Sequence, residues 1–262
     1  MTQRVLTDDG VPIEYKVYGT GPLTLLFLHG WGNAASSWDD LLASRLNLSG
    51  LRCIAASYRG HGASQPAPSG YTQERFARDM FAVADTVRAD RFVIVGFSMA
   101  GNFGRYMTHL HPDRVMGQVL IAAPGPQILA APRDAFTPWL DAAPYPERFR
   151  EILLTFIKRP IPDPLLDLYC QNVATASRAA LDGTLGMFYI STEMEVRNIR
   201  TPTLIICGEF DPLFNREYTN NFLVPTVVGA RTVFLPCGHE IPFEMPDETA
   251  NLIEAFLAGL HY

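Results

Sequence analysis

Apolar and polar residues follow two rhythms along this chain. Residues 23–30, LTLLFLHG, form an almost unbroken apolar run, which predicts a strand buried on both faces. Similar short runs stand at 51–57 (LRCIAAS), 91–96 (RFVIVG), 114–123 (RVMGQVLIAA), 202–208 (PTLIICG) and 231–236 (RTVFLP). Around Ile13, Tyr15 and Val17 the pattern alternates instead, which predicts a half-exposed strand. Helical spacing separates these runs. Residues 72–89 place Phe76, Met80, Val83 and Val87 on one stripe, residues 99–109 stop before Pro112, and residues 247–257 form an amphipathic segment. Residues 36–46 predict a further helix, capped by serine and burying Trp38, Leu41 and Leu42. Repeated strand–helix alternation predicts an α/β fold, with a mostly parallel central sheet flanked by helices.

Between residues 124 and 199 the rhythm breaks. Two proline-rich stretches, PGPQILAAPRDAFTPW and KRPIPDPLLD, flank short helical pieces built on Phe149, Ile152, Leu153 and Phe156, on Leu165, Leu166 and Tyr169, and on Leu185, Met187, Phe188 and Tyr189. We read 1–123 and 200–262 as the core and 124–199 as a helical lid inserted late in the sheet. The lid follows the end of a strand, where α/β proteins bind ligands.

Composition narrows the class. The 262 residues carry a net charge of −6 and no Lys/Arg run, which argues against nucleic acid or an anionic membrane as partner. The opening MTQRVLTDDG lacks a signal-peptide core, and no apolar run approaches the roughly 18 residues of a membrane span. Cys53, Cys170, Cys207 and Cys237 are scattered and predict reduced, structural thiols in a cytoplasmic protein. No histidine pair has metal-ligand spacing, so no metal or cofactor is expected.

Candidate chemistry centres on GFSMAG, where a buried strand gives way to a helix. A sharp turn there would expose Ser98 above the sheet edge and aim the helix N-terminus at any developing oxyanion. The residues two before and two after the serine, Gly96 and Ala100, must both be small. A plain serine helix cap would also account for this stretch taken alone. A serine nucleophile needs a base, and the base needs an orienting acid. His239 in PCGHEIPFEMP and Asp211 in CGEFDPLF each follow a strand, in the order Ser98, Asp211, His239. Glu209 competes for the acid's place. Glu240 and Glu244 are expected to hold the histidine loop or face solvent.

Together, FLHGWG, SYRGHGAS, GFSMAG, GEFDP and GHEIPFEMP resemble the α/β-hydrolase-fold serine hydrolases over essentially the whole chain. The resemblance implies a catalytic triad of Ser98, Asp211 and His239, and an oxyanion hole from the backbone N–H groups of Trp31 and Met99. His29 and His61 then become scaffold residues. One departure concerns the loop that usually reads D-x-x-G-x-G-x-S in this family: Ser57 stands at the aspartate.

The machinery suits cofactor-free hydrolysis of a carboxylic ester or lactone through an acyl-enzyme, by a monomer or homodimer. HGWG and GFSMAG are also similar to the cofactor-free haloperoxidase or perhydrolase branch. That branch typically places proline after His-Gly-Trp, where this chain has Gly32. Carbon–carbon bond hydrolysis on the same triad and a slowly hydrolysing ligand receptor on the same fold stay open. Epoxide hydrolases and dehalogenases need an aspartate at position 98. Phe97, Trp31, Trp139, Phe156, Met187, Phe188 and Tyr189 are the candidate pocket walls, which suggests a small-to-medium hydrophobic substrate.

Overall fold

The computed structural model describes residues 2–125, 133–187 and 198–260. Eight strands form one sheet: β1 (Thr2–Leu6), β2 (Pro12–Tyr18), β3 (Leu23–Leu28), β4 (Leu51–Ala56), β5 (Phe92–Phe97), β6 (Val115–Ile121), β7 (Thr203–Gly208) and β8 (Arg231–Leu235). Their order is β1-β2-β4-β3-β5-β6-β7-β8. From β4 to β8 all neighbours are parallel, whereas β1 and β2 run antiparallel at one edge. Every residue of β3, β5 and β7 is buried, as continuous apolar runs require when helices cover both faces.

Helices α1 (Gln73–Thr86) and α2 (Met99–Leu110) connect core strands. After β6 come α3 (Thr137–Ala142), α4 (Pro146–Leu154), α5 (Asp163–Thr175) and α6 (Arg178–Met187), the helical insert. Then β7, the single turn α7 (Arg216–Tyr218), β8, α8 (Ile241–Glu244) and α9 (Pro246–Ala258) complete the order. The chain passes from β3 outward to β4, then crosses back to β5 on the other side of β3. This reversal opens a crevice at the carboxyl ends of β3 and β5, the usual ligand position in open α/β sheets.

Three local expectations change. Residues 36–46 do not form a serine-capped helix. A tight turn at Ala35–Trp38 precedes a wide turn at Leu41–Arg45, and no side chain of the segment caps the first. The Ala35 N–H is taken instead by the Ser57 hydroxyl at 2.9 Å, from the end of β4. β2 is only partly exposed: Pro12, Lys16, Val17 and Tyr18 keep some access, Ile13 and Tyr15 enter the core, and Glu14, on the other face, is buried against the turn that follows β4. β1, which the apolar pattern does not announce, pairs with β2 and is mostly exposed.

All four cysteines are buried free thiols. Burial pushes Cys53, Cys207 and Cys237 up to about 12 and Cys170 to about 11, far from reactive thiolates. Among the described residues, no helix is long and apolar enough to cross a membrane.

Candidate active site

Ser98 sits between β5 and α2 with φ 53° and ψ −123°, a left-handed backbone uncommon for any residue but glycine. Two backbone bonds hold it there, Ser98 N–H to Ile121 O and Gly101 N–H to Ser98 O, both 2.8 Å. The side chain makes no helix-capping bond. The turn is so tight that a Cβ on Gly96 would lie 2.7 Å from the Ala100 carbonyl oxygen. The close approach therefore involves the main chain of residue 100 and not its methyl, which explains why glycine is needed at 96 and alanine fits at 100.

The Ser98 Oγ lies 2.9 Å from His239 Nε2, and His239 Nδ1 lies 2.7 Å from Asp211 Oδ2. In the neutral tautomer, Nδ1–H donates to Asp211 and Nε2 accepts from the serine hydroxyl. Asp211 is itself fixed, its Oδ1 accepting the Leu213 N–H at 2.7 Å. All three side chains are buried. Burial works against an imidazolium at His239. The charge and hydrogen bond of Asp211, with the charges of Glu240 and Glu244, outweigh it, so the imidazole titrates above its ordinary value. Glu209 points elsewhere, paired with Arg216 at 2.6 Å.

Trp31 and Met99 stand where the oxyanion donors are expected, in the turn after β3 and at the first position of α2. The first N–H groups of a helix have no partner within it. His29 braces the Trp31 turn. It donates from Nδ1 to Gly30 O at 2.8 Å and accepts the Tyr58 N–H at Nε2, 3.1 Å. Complete burial lowers its basicity well below the usual range and keeps it neutral. Gly32 has φ +69°, which proline, locked near −65°, cannot adopt. This turn therefore differs in conformation from any that carries proline there.

Ser98 and His239 open into a cavity whose other walls include Trp31, Phe136, Trp139, Phe149, Phe156 and Tyr169. Most come from α3, α4 and α5 and the segments beside them, so the insert covers the carboxyl edge of the sheet. Of the expected walls, Trp31, Trp139 and Phe156 line the cavity. Phe97 does not; it lies behind His239, its ring 5.5 Å from the imidazole. β5 directs it into the core, where it also meets Trp38 and Phe243. Met187 ends α6, and Phe188 and Tyr189 lie outside the described residues.

Three acidic residues shape the surroundings of the site, and one of them, Glu244, holds the histidine loop as expected. Glu14 supplies the carboxylate that Ser57 lacks. Its Oε2 accepts the Ser57 hydroxyl and the Ala63 N–H, both at 2.7 Å. Glu244 joins the histidine loop to the insert. Its Oε2 accepts the N–H groups of Gly238 (3.0 Å), Lys158 and Arg159 (both 2.7 Å), and its Oε1 that of Glu240 (3.1 Å). The His239 N–H adds a bond to Phe156 O at 2.9 Å. Glu240 does not meet solvent; it faces the cavity, and its Oε1 accepts a long hydrogen bond from the Tyr169 hydroxyl of α5 at 3.4 Å. The four-residue spacing from Glu240 to Glu244 across a one-turn helix was the signal in the sequence for their pairing.

Residues 25–252 match the model of the alpha/beta hydrolase family, and the chain belongs to that family. It is 26% identical to a bifunctional esterase/perhydrolase of Acinetobacter calcoaceticus over 273 residues, 95% of each chain. It is 35% identical to a non-heme chloroperoxidase of Streptomyces lividans over 124 residues, 47% of this chain and 45% of the relative. In fold it resembles an esterase from Exiguobacterium antarcticum, with a TM-score of 0.85 at 20% identity, covering 99% of this chain and 100% of the other.

Proposed function

We propose that this chain is a serine hydrolase of carboxylic esters or lactones that works through an acyl-enzyme on Ser98. The observation that carries the reading is the continuous Asp211–His239–Ser98 hydrogen-bond chain opening on an aromatic cavity. Ser98 Oγ attacks the carbonyl carbon while His239 Nε2 takes its proton. The N–H groups of Trp31 and Met99 hold the oxyanion. His239 returns the proton to the leaving alkoxide, and water, activated in the same way, then releases the acid. Asp211 holds the imidazole in one tautomer and stabilises its charge. Residues 124–199 serve as the cap over a core of 1–123 and 200–262. The aromatic walls favour a small-to-medium hydrophobic substrate.

Perhydrolysis is the second reading, favoured by the esterase/perhydrolase relative that matches over nearly the full length. Gly32, with its proline-incompatible φ, weighs towards hydrolysis. An aryl phosphonate is expected to label Ser98, and Ser98→Ala to lower kcat/KM for aryl esters and lactones by at least about a thousandfold. Undiminished ester hydrolysis by Ser98→Ala would overturn the reading. Peracid formation from acetate and peroxide that outpaces ester hydrolysis would select the second.

A further inference from the structure

One carboxyl group faces the cavity without a part in this chemistry. Glu240 follows His239 directly, is 2% exposed, and lines the same cavity as Ser98. Its Oε1 lies 3.4 Å from the Tyr169 hydroxyl, while its Oε2 is buried without a hydrogen-bond partner among the described residues. The main chain fixes its place, because the Glu240 N–H is held by Glu244 and α8 starts at the next residue. Elsewhere the cavity wall is dominated by rings and aliphatic groups: Trp31, Trp139, Phe149, Ile152 and Phe156. A buried oxygen left unpaired is unfavourable, and a bound group that completes its bonding is held strongly.

The partner's chemistry follows from the surroundings. Burial, with the charges of Glu244 and Asp211, pushes the Glu240 carboxyl up to about 7, against the opposing effects of His239 and Tyr169. Near neutrality both protonation states are present. An ammonium would suit only the carboxylate, and a substrate carboxylate only the neutral acid. A hydroxyl suits both, donating to the first and accepting from the second.

We infer that Glu240 is a specificity-determining residue that selects substrates carrying a hydroxyl group on the part enclosed by the aromatic cavity. Oε2 makes the hydrogen bond to that hydroxyl, while the remaining walls take up the carbon skeleton. The inference rests on the ester-hydrolase reading of Ser98. It adds a polar recognition element to an otherwise hydrophobic pocket.

The test compares kcat/KM for carbon-matched ester pairs, one member hydroxylated on the acyl or the alkoxy chain, in wild type, Glu240→Leu and Glu240→Gln. Wild type is expected to favour one hydroxylated ester by about tenfold or more. Glu240→Leu should abolish that ratio and raise turnover of the plain ester. Glu240→Gln should keep most of the preference, since its amide still bonds a hydroxyl. No preference in wild type, a stronger preference for amino-substituted esters, or an equal loss on both esters in Glu240→Leu would overturn the inference. Calorimetric binding of hydroxylated and plain carboxamides to Ser98→Ala protein, with and without Glu240→Leu, gives the same ratio without turnover. Failure of phosphonate labelling would count against the ester reading alone, whereas an unchanged binding ratio would count against Glu240.

Discussion

Glu14 and Ser57 together occupy the place that the family pattern gives to one aspartate. The carboxylate comes from β2, and the serine relays it to the Ala35 N–H. Glu14→Ala should cost about 1–3 kcal/mol of unfolding free energy, because the Ala63 N–H and the Ser57 hydroxyl lose the one oxygen that accepts both. Ser57→Asp should destabilise the wild type by crowding two carboxylates. The same change should be tolerated better beside Glu14→Ala, giving a favourable coupling in a double-mutant cycle of urea titrations. The sequence alone made Ser57 look like a loss, since its compensation lies 43 residues away on another strand. Ser98, Asp211 and His239 were legible because each belongs to a short motif at a strand's end. Glu240 was not, because its facing depends on how α8 and the insert pack.

At the scale of elements, the histidine loop and the segment at 156–159 share one carboxylate. Glu244 gathers N–H groups from both sides, and Gly238 lies so close to the insert that a Cβ there would meet Phe156 O at 2.1 Å. Glu244→Ala leaves these donors without their acceptor. It is expected to lower stability by about 3 kcal/mol, a few charge-assisted bonds partly replaced by water. It should also lower kcat about tenfold through misplacement of His239, with phosphonate labelling slowed in parallel. The strands β2 to β8 and helices α1, α2 and α9 were readable from hydrophobic period. The turns at 35–45 were not, because their donors are satisfied by distant side chains and their shape is set by burying Trp38, Leu41 and Leu42 together.

At the scale of the whole molecule, stability should depend on pH through Glu240. Its carboxyl binds a proton up to about 7 when folded, against an ordinary value of 4.5. Between these values the folded state holds more protons than the unfolded, so the group's contribution is full at low pH and disappears as pH rises through about 7. Wild type should therefore lose about 3 kcal/mol more than Glu240→Gln over this interval, measured by urea unfolding at stepped pH. His239, raised in the same direction, adds to the decline in both proteins. Hydrolysis should respond oppositely, increasing as His239 loses its proton and becomes able to act as base. The order of the strands was beyond the sequence, since parallel partners are chosen by long crossovers and carry no local signature.

The anchor at Glu244 has a consequence for how such proteins diversify. Because the insert is fastened to the backbone around His239, exchanging it for a relative's insert also exchanges the bonds that hold that side chain in place. A chimaera that keeps only the core motifs would inherit the reacting groups without their alignment. Selectivity and turnover are thus inherited together, and a new insert has to arrive with main-chain donors that fit a carboxylate it does not itself contain.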